Sequence, residues 1–537
     1  MNPSLPLRIF KRLDVWLIVA LAVGFSLRVQ YVRLPMAEAH SWRQITNADI
    51  ARNFTEVSAN ILYPQVSWGG PRDAYVSMEF PLLQWLAGML FHVVSEGQRE
   101  LVCRLLSILF SLGTVGAIYA LGARLFGKPA GRAAAFLLAI SPSFVFFGRA
   151  FISDTPMVFF TVAGMWGLVR YAQTGDRRAA WLGIASITLG CMVKIPAVLI
   201  LGPIAWLAIS ADRADRTDPA DRIRVIRAIR AIRVTPIWIA AIAVPIAGTA
   251  LWYWHGDVIF HRTGLGQAIF HPSGGYSPDV SIAMGPIMGV SHWSTLHQLR
   301  DPAFYSTLLD RTYYLHLTPA GFALTIVGLA IGWTRPASRV VLVWLAAVLF
   351  FILASAEGNR YHEFHQLPLL PPAALLFGLA ACPAFDASWL RQATGSRLVP
   401  LAAGAAVVAV GVLGFDKSNV VHDFFRPDRL DLRMIQAGHA VENRVPVTDT
   451  IVVLEYPQYG ANSPILLYRA HRKGWSFDLS SISPHVVQRL QRQFGAKYFA
   501  TTIWSQIEAR QPVLAEYLKT QERIEIDVAD TALFKLR

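Results

Sequence analysis

The residues of this sequence that could do chemistry begin in a polar stretch, PMAEAHSWRQITNADIARNFTEVSAN, which follows a first hydrophobic segment and runs on to YVSMEFP. Glu38, His40, Arg43, Gln44, Asp49, Arg52 and Glu79 all fall between Pro35 and Pro81, a dense polar set for a loop between apolar segments. A carboxylate or neutral imidazole there could accept the proton of an attacking hydroxyl. Glu38, His40 and Glu79 are the candidates in this loop, and Trp42, Gln44 and Asp49 would touch substrate. The guanidinium of Arg43 could grip phosphate oxygens in bidentate fashion. Farther on, Asp154 in SDTP, Lys194 in ITLGCMVKIPAV and the cluster Arg360, His362, Glu363, His365 each stand where an apolar run starts or breaks. Ionisable groups at membrane depth or at its rim are costly to keep, so they are functional candidates by default.

Each of these has a plainer reading. Ser153 or Asp154 could cap a helix with Pro156 in its first turn. Lys194, next to the helix-breaking Pro196, could snorkel to the interface or present a point charge to a phosphate. A carboxylate at Glu79 would stabilise the start of a following helix through its dipole. His362 and His365, three apart, could face together on a helix, but their spacing fixes no third ligand and the metal signal is weak.

The elements that must position these groups are set by hydropathy. The 537 residues are 54% hydrophobic and only 16% charged, with a mean hydropathy of +0.40, which excludes an ordinary soluble domain. Apolar windows long enough to cross a hydrocarbon core as helix recur at 14–33, 102–126, 130–148, 155–172, 179–193, 195–210, 236–254, 317–333, 339–355, 366–382 and 397–415. They lack the two-residue alternation of a membrane barrel. The fold class is therefore an α-helical polytopic membrane protein with about eleven crossings. The formal charge of +14 sits at helix ends and in short connections, which points to membrane orientation and away from nucleic acid. Cys103, Cys191 and Cys382 are far apart and read as buried free thiols.

The apolar piece at 81–94 is about fourteen residues, short of a crossing. If it lies in the interface, the basic clusters at 124–132, 177–178, 213–233, 335–339 and 391–397 share the side of Arg8, Lys11 and Arg12. The excess of Lys and Arg on the cytoplasmic side then puts the N-terminus in the cytoplasm and the C-terminal segment outside. The loops around Glu38, Asp154, Lys194 and Arg360 share the outer face by the same count, and one polar pocket could collect them. The Ile-Arg repeat within 211–235 suits the anionic cytoplasmic leaflet or serves as an orientation signal.

The expected organisation is a transmembrane catalytic domain over 1–415, with a first extracytoplasmic loop at 34–100, a basic cytoplasmic loop at 211–235 and an extracytoplasmic loop at 255–316. That last loop holds His255, His261, His271, His292 and Trp293, whose rings could line a binding site or simply cover the C-terminal domain. Hydropathy falls after Phe415, and 416–537 reads as a small α/β domain. Strands are expected at 451–456, 465–470, 497–502 and 532–537, with a helix at 483–495 ended by glycine.

In order, the acidic polar loop, E-x-P-L, R-x-x-x-S-D-T-P, the V-K-x-P break, Q-L-P-L-L-P-P and the outer α/β tail resemble the GT-C membrane glycosyltransferases of the protein-mannosyltransferase and lipid A aminoarabinose-transferase type. The resemblance covers most of the chain. It implies a bacterial inner-membrane enzyme that moves a sugar, with inversion, from a polyprenyl-phosphate donor to a lipid, glycan or protein acceptor on the extracytoplasmic face. By position it makes Glu79 and Asp154 the acidic residues and Lys194 the lysine near the donor phosphate; Arg43 and Arg360 could add charge there, and His362 could touch the substrate. It leaves open a divalent metal on Glu79 and His362. One departure stands out: aligned on IARNF (50–54), the family's Asp-Glu pair falls on Arg43 and Gln44, so the base in this loop stays open between Glu38 and His40. A transporter or lipid flippase is the rival class, and a scaffold the third, but no internal two-fold repeat of the transporter kind appears.

Overall fold

A computed structural model describes residues 14–71, 73–214, 236–266, 276–277, 282–283, 294–396, 399–416, 419–427, 429–455 and 463–537. Most of the basic 211–235 segment, and His271, His292 and Trp293, lie outside the described residues. The chain divides into two compact units. The first gathers Met1–Val32, Ser107–Leu251 and His292–Val421, and the second Arg33–Leu106, Trp252–Ser291 and His422–Arg537.

Every segment expected to cross a membrane is helical. Among the described residues, Glu96–Phe126, Pro236–Thr263, Pro336–Ala354 and Glu363–Phe385 are long and apolar enough to span on length and composition, and a bent pair, Pro302–His316 with Pro319–Trp333, would make a fifth. Other segments are shorter or broken where the backbone loses a donor. The window at 130–148 is two helices, Lys128–Ile140 and Pro142–Phe147, separated at Ser141 because Pro142 cannot continue the hydrogen-bond ladder. Leu82–Phe91 is a ten-residue helix, about 15 Å long, too short to cross a bilayer core of about 30 Å.

The first unit is held by close helix pairs. Helices Asp154–Thr174 and Arg177–Val193 turn back on one another at Gly175, whose φ of 71° suits only glycine well, while Asp176 caps the second helix by accepting from the N–H groups of Arg178 and Ala179. A methyl group on Gly167 would lie 2.6 Å from the Ala179 carbonyl oxygen, so small residues let these backbones approach. Arg28 reaches into the same unit with a buried guanidinium. Its Nε donates to Ser111 Oγ at 2.7 Å, Nη1 to the carbonyls of Gly24 and Ala139 at 2.9 Å, and Nη2 to those of Leu138 and Phe144 at 3.2 and 3.1 Å. The guanidinium joins the first helix to the region around the Ser141 break.

The second unit puts the first loop and the C-terminal segment around one core. Trp68 and Val66 from the loop, Ile50 and Phe54 from helix Ser41–Glu56, and Trp475, Val453 and Phe499 from the tail are buried together. Gly69 bridges to Trp475 in antiparallel fashion, and a Cβ on Gly70 would meet the Trp475 indole at 2.9 Å. The five-stranded sheet places Thr450–Leu454 between Gly474–Phe477 and Ala496–Thr501, both parallel to it. Ala532–Lys535 then Glu522–Ile524 add on in antiparallel fashion beyond Ala496–Thr501.

The helix Pro484–Phe494 ends at left-handed Gly495 as the spacing indicates. Residues 465–470 differ from expectation: Ile465–Arg469 is a helix rather than a strand. Glu455 decides this locally, accepting from the Leu466 N–H at 2.8 Å and from Ser463 Oγ at 2.6 Å, which caps the helix start. A short apolar run carries no period that separates strand from buried helix. The expected outer loop 255–316 is likewise partly helical, since Pro236–Thr263 continues past residue 254 and helices occupy Leu296–Arg300 and Pro302–Asp310.

Candidate active site

In the second unit, helix Ser41–Glu56 and the chain before Leu82 present the polar groups of the first loop. Arg43 Nη2 lies 2.9 and 2.7 Å from the two carboxylate oxygens of Glu79, with side chains 14% and 2% exposed. Glu79 therefore spends its charge on Arg43 rather than on capping the helix after Pro81. Arg43 stays at the open edge of the pair.

His40 is the residue before that helix and sits in the left-handed region at φ 58°, with no side-chain capping bond. A non-glycine residue held there is strained, and such strain gathers at functional positions. His40, Trp42 and Arg43 are half-buried. Ser41 Oγ and the indole N–H of Trp42 are buried with no hydrogen-bond partner among the described residues, and a buried donor without a partner is unfavourable until something supplies one.

Glu38, weighed above as a base, is placed otherwise. Arg104 grips both of its oxygens, Nη2 to Oε2 at 2.7 Å and Nη1 to Oε1, and both side chains are buried. The Ala37 N–H and Gln44 Nε2 add donors at 3.2 and 3.3 Å. A carboxylate so saturated by donors is a poor proton acceptor, and Glu38 with Gln44 is an anchor for the loop. Asp49 is a similar correction. It is fully buried, accepting from Arg52 Nη2 at 2.9 Å, Ser67 Oγ at 2.6 Å and the Ser67 N–H at 2.8 Å. Burial pushes its carboxyl above the usual range, with Arg52 and Ser67 opposing. Asp49 ties helix to loop.

In the first unit, Lys194 ends helix Arg177–Val193 in extended geometry before the Ile195–Pro196 turn. Its Nζ donates to Asp154 Oδ2 at 2.6 Å, with side chains 6% and 3% exposed. Asp154 opens its helix, Ser153 before it makes no side-chain cap, and the carboxylate accepts from the Lys194 ammonium. Lys194 Nζ also lies 4.8 Å from the centre of the Phe364 ring, and the His362 ring stacks on Phe364 at 5.0 Å and 20°. Arg360 is farther out, 45% exposed and 3.7 Å from Asp301. Next to the pair in sequence, Met157, Val158, Pro196, Ala197, Trp344 and Pro368 line a narrow apolar cleft.

Each unit thus assembles part of the expected set: Glu38, His40, Trp42, Arg43, Gln44, Asp49 and Glu79 in the second, Asp154, Lys194, Arg360 and His362 in the first. The metal suggested for Glu79 and His362 finds no matching donor set. Both oxygens of Glu79 face Arg43, and among the described residues no three His, Cys, Asp or Glu side chains group as a metal would need. His255, from the expected aromatic loop, donates from Nε2 to the Leu62 carbonyl oxygen at 2.9 Å, and its ring packs on Tyr63 and Trp252. Arg104, Phe364 and His316 were not singled out by sequence. An arginine in an apolar run was the available signal for Arg104; the other two carried none.

The chain is mostly helical, with several helices apolar and long enough to span a membrane, and its fold is that of the solved structures named below. The pattern of the dolichyl-phosphate-mannose-protein mannosyltransferase family matches residues 78–252, which contain Glu79, Asp154 and Lys194. Among solved structures, the chain is similar to ArnT from Cupriavidus metallidurans bound to undecaprenyl phosphate, at 13% identity and a TM-score of 0.61, with 97% of each chain covered. It is also similar to the oligosaccharyltransferase AglB from Archaeoglobus fulgidus in complex with an inhibitory peptide and a dolichol-phosphate, at 14% identity and a TM-score of 0.57, over 95% of this chain and 72% of that one. No curated protein matches the chain by sequence.

Proposed function

We propose that this protein is an inverting membrane glycosyltransferase that transfers a sugar from a polyprenyl-phosphate donor to a lipid, glycan or protein acceptor on the extracytoplasmic face of a bacterial inner membrane. The observation that carries this reading is the Lys194–Asp154 pair. A buried ion pair among membrane helices is unfavourable to build for stability alone, and an ammonium is what a departing phosphate requires. The ArnT structure with undecaprenyl phosphate and the AglB structure with dolichol-phosphate support a donor of this class.

The chemistry is a single displacement. The acceptor oxygen forms a bond to the anomeric carbon as the bond from that carbon to the phosphate oxygen breaks, which inverts the centre. The electron pair leaves on the polyprenyl phosphate, and its low basicity means it needs charge compensation more than a proton. Lys194 supplies that charge, and Asp154 aims the ammonium. We assign to His40 the role of taking the acceptor hydroxyl's proton, and to Arg43 and Glu79 that of binding the acceptor. Ser41 and Trp42 offer it two unsatisfied donors.

The test is sugar transfer by the full chain in liposomes with polyprenyl-phosphate sugars. Loss of transfer in Lys194→Ala and His40→Ala, both still folded, supports these roles. Full transfer in either removes the role assigned to it.

A further inference from the structure

We infer that His316 is a positioning residue for the Lys194–Asp154 pair, acting through a closed circuit of contacts in the first unit. The inference rests on the donor-phosphate role proposed for Lys194. His316 is fully buried. Its Nδ1 lies 2.8 Å from Ser143 Oγ and its Nε2 2.9 Å from Gln366 Oε1. The amide end of Gln366 is fixed independently, because its Nε2 donates to the Asn359 carbonyl at 3.0 Å.

An amide oxygen only accepts, so Nε2 of His316 carries the proton. Nδ1 is then an acceptor, and the Ser143 hydroxyl donates to it. Ser141 Oγ donates to the backbone carbonyl of His316 at 2.7 Å. The neutral imidazole is thereby held at both ring nitrogens and at its own main chain.

The two ends of this bridge both reach the ion pair. Gln366 lies in the 3-10 segment Glu363–Leu369, which carries Phe364, the ring under the Lys194 ammonium. Ser143 lies in helix Pro142–Phe147, whose last residue gives its carbonyl to Thr155 Oγ1 at 2.7 Å, beside Asp154. The Phe147 ring also meets the Phe364 ring edge-on at 5.9 Å. The path Ser143, His316, Gln366, Phe364, Lys194, Asp154, Thr155, Phe147 returns to the helix it left. His316 is the polar link in it that joins the two walls around the pair.

The backbone at His316 is irregular. Arg311–His316 is a π-helical turn, Thr318 sits at φ 64°, and the helices on either side bend by 106°. Such turns are uncommon and concentrate at functional positions. Here they bring one imidazole between Ser143 and Gln366.

The experiment titrates undecaprenyl phosphate into the detergent-purified full chain by native mass spectrometry, using wild type, Lys194→Ala, His316→Phe and His316→Gln, with a melting curve for each. Lys194→Ala is expected to bind at least about tenfold more weakly. His316→Phe, which keeps the volume and loses both bonds, should weaken binding about tenfold, a loss of order one buried hydrogen-bonding interaction. His316→Gln, whose amide can still donate to Gln366, should stay within about threefold of wild type. In transfer assays the loss should fall on the KM for donor rather than on kcat. Wild-type affinity in folded His316→Phe overturns the inference. So does equal weakening of His316→Phe and His316→Gln in step with their melting temperatures. If wild type and Lys194→Ala both fail to bind, the donor-phosphate reading falls first and takes this inference with it.

Discussion

Lys194 and Asp154, forty residues apart, meet with an ammonium-to-carboxylate distance of 2.6 Å and almost no exposure. Removing one partner leaves the other charged and buried, which costs about 3–5 kcal/mol. Asp154→Asn should therefore lower the melting temperature in detergent sharply. Replacing both residues with apolar ones of similar size should restore much of the stability and none of the transfer. A double variant as unstable as Asp154→Asn alone would show that the pair contributes through more than its charges.

Glu38 and Arg104 should behave differently. Their mutual grip is closed on itself with further donors from Ala37 and Gln44, so Glu38→Gln is expected to destabilise the second unit while the folded fraction retains its kcat. His40→Ala should do the reverse, with little change in melting and a fall in kcat of about 10²-fold or more, as for loss of a general base. Comparing kcat per folded molecule separates the two.

Arg28 predicts a purely structural loss. All its hydrogen bonds go to Ser111 and to backbone carbonyls, and Arg28→Met strands several buried acceptors at about 1–3 kcal/mol each. Melting should fall, and the KM for donor should not change in what remains folded.

The pH dependence of the C-terminal segment should reveal Glu442. Burial raises its pKa, but hydrogen bonds and charge from His471 and His439 outweigh this and hold the carboxyl below its ordinary 4.5. A depressed carboxyl contributes stability above that ordinary value and loses it as pH falls through the lower folded value. Melting curves of wild type should thus drop on acidification below about pH 4.5, and Glu442→Gln should flatten that drop. An unchanged slope in the variant would remove Glu442 from the account.

Much of this was legible in the sequence where the signal is local. Apolar windows located the helices because backbone in lipid must bond within its own segment. Lys194 stood out as a charge in an apolar run, and the Gly495 stop marked the end of its helix. Partnerships were not legible: Glu38 with Arg104, or Ser143 with His316 and Gln366, join positions with no shared period. The apolar run at 465–470 formed a helix because Glu455 caps it. Asp49's pairing with Arg52, three residues on in the same helix, had a local signal, whereas Ser67 is brought to it only by the fold.

Counting products in liposomes that hold the purified chain, a polyprenyl-phosphate sugar and a membrane glycolipid fraction as acceptor tests the proposed transfer and the role of Lys194. One polyprenyl phosphate is expected to be released for each sugar transferred, with opposite anomeric configuration in the product, and neither in the Lys194→Ala protein. Release without transfer, retained configuration, or full turnover by the Lys194→Ala protein would contradict the proposal.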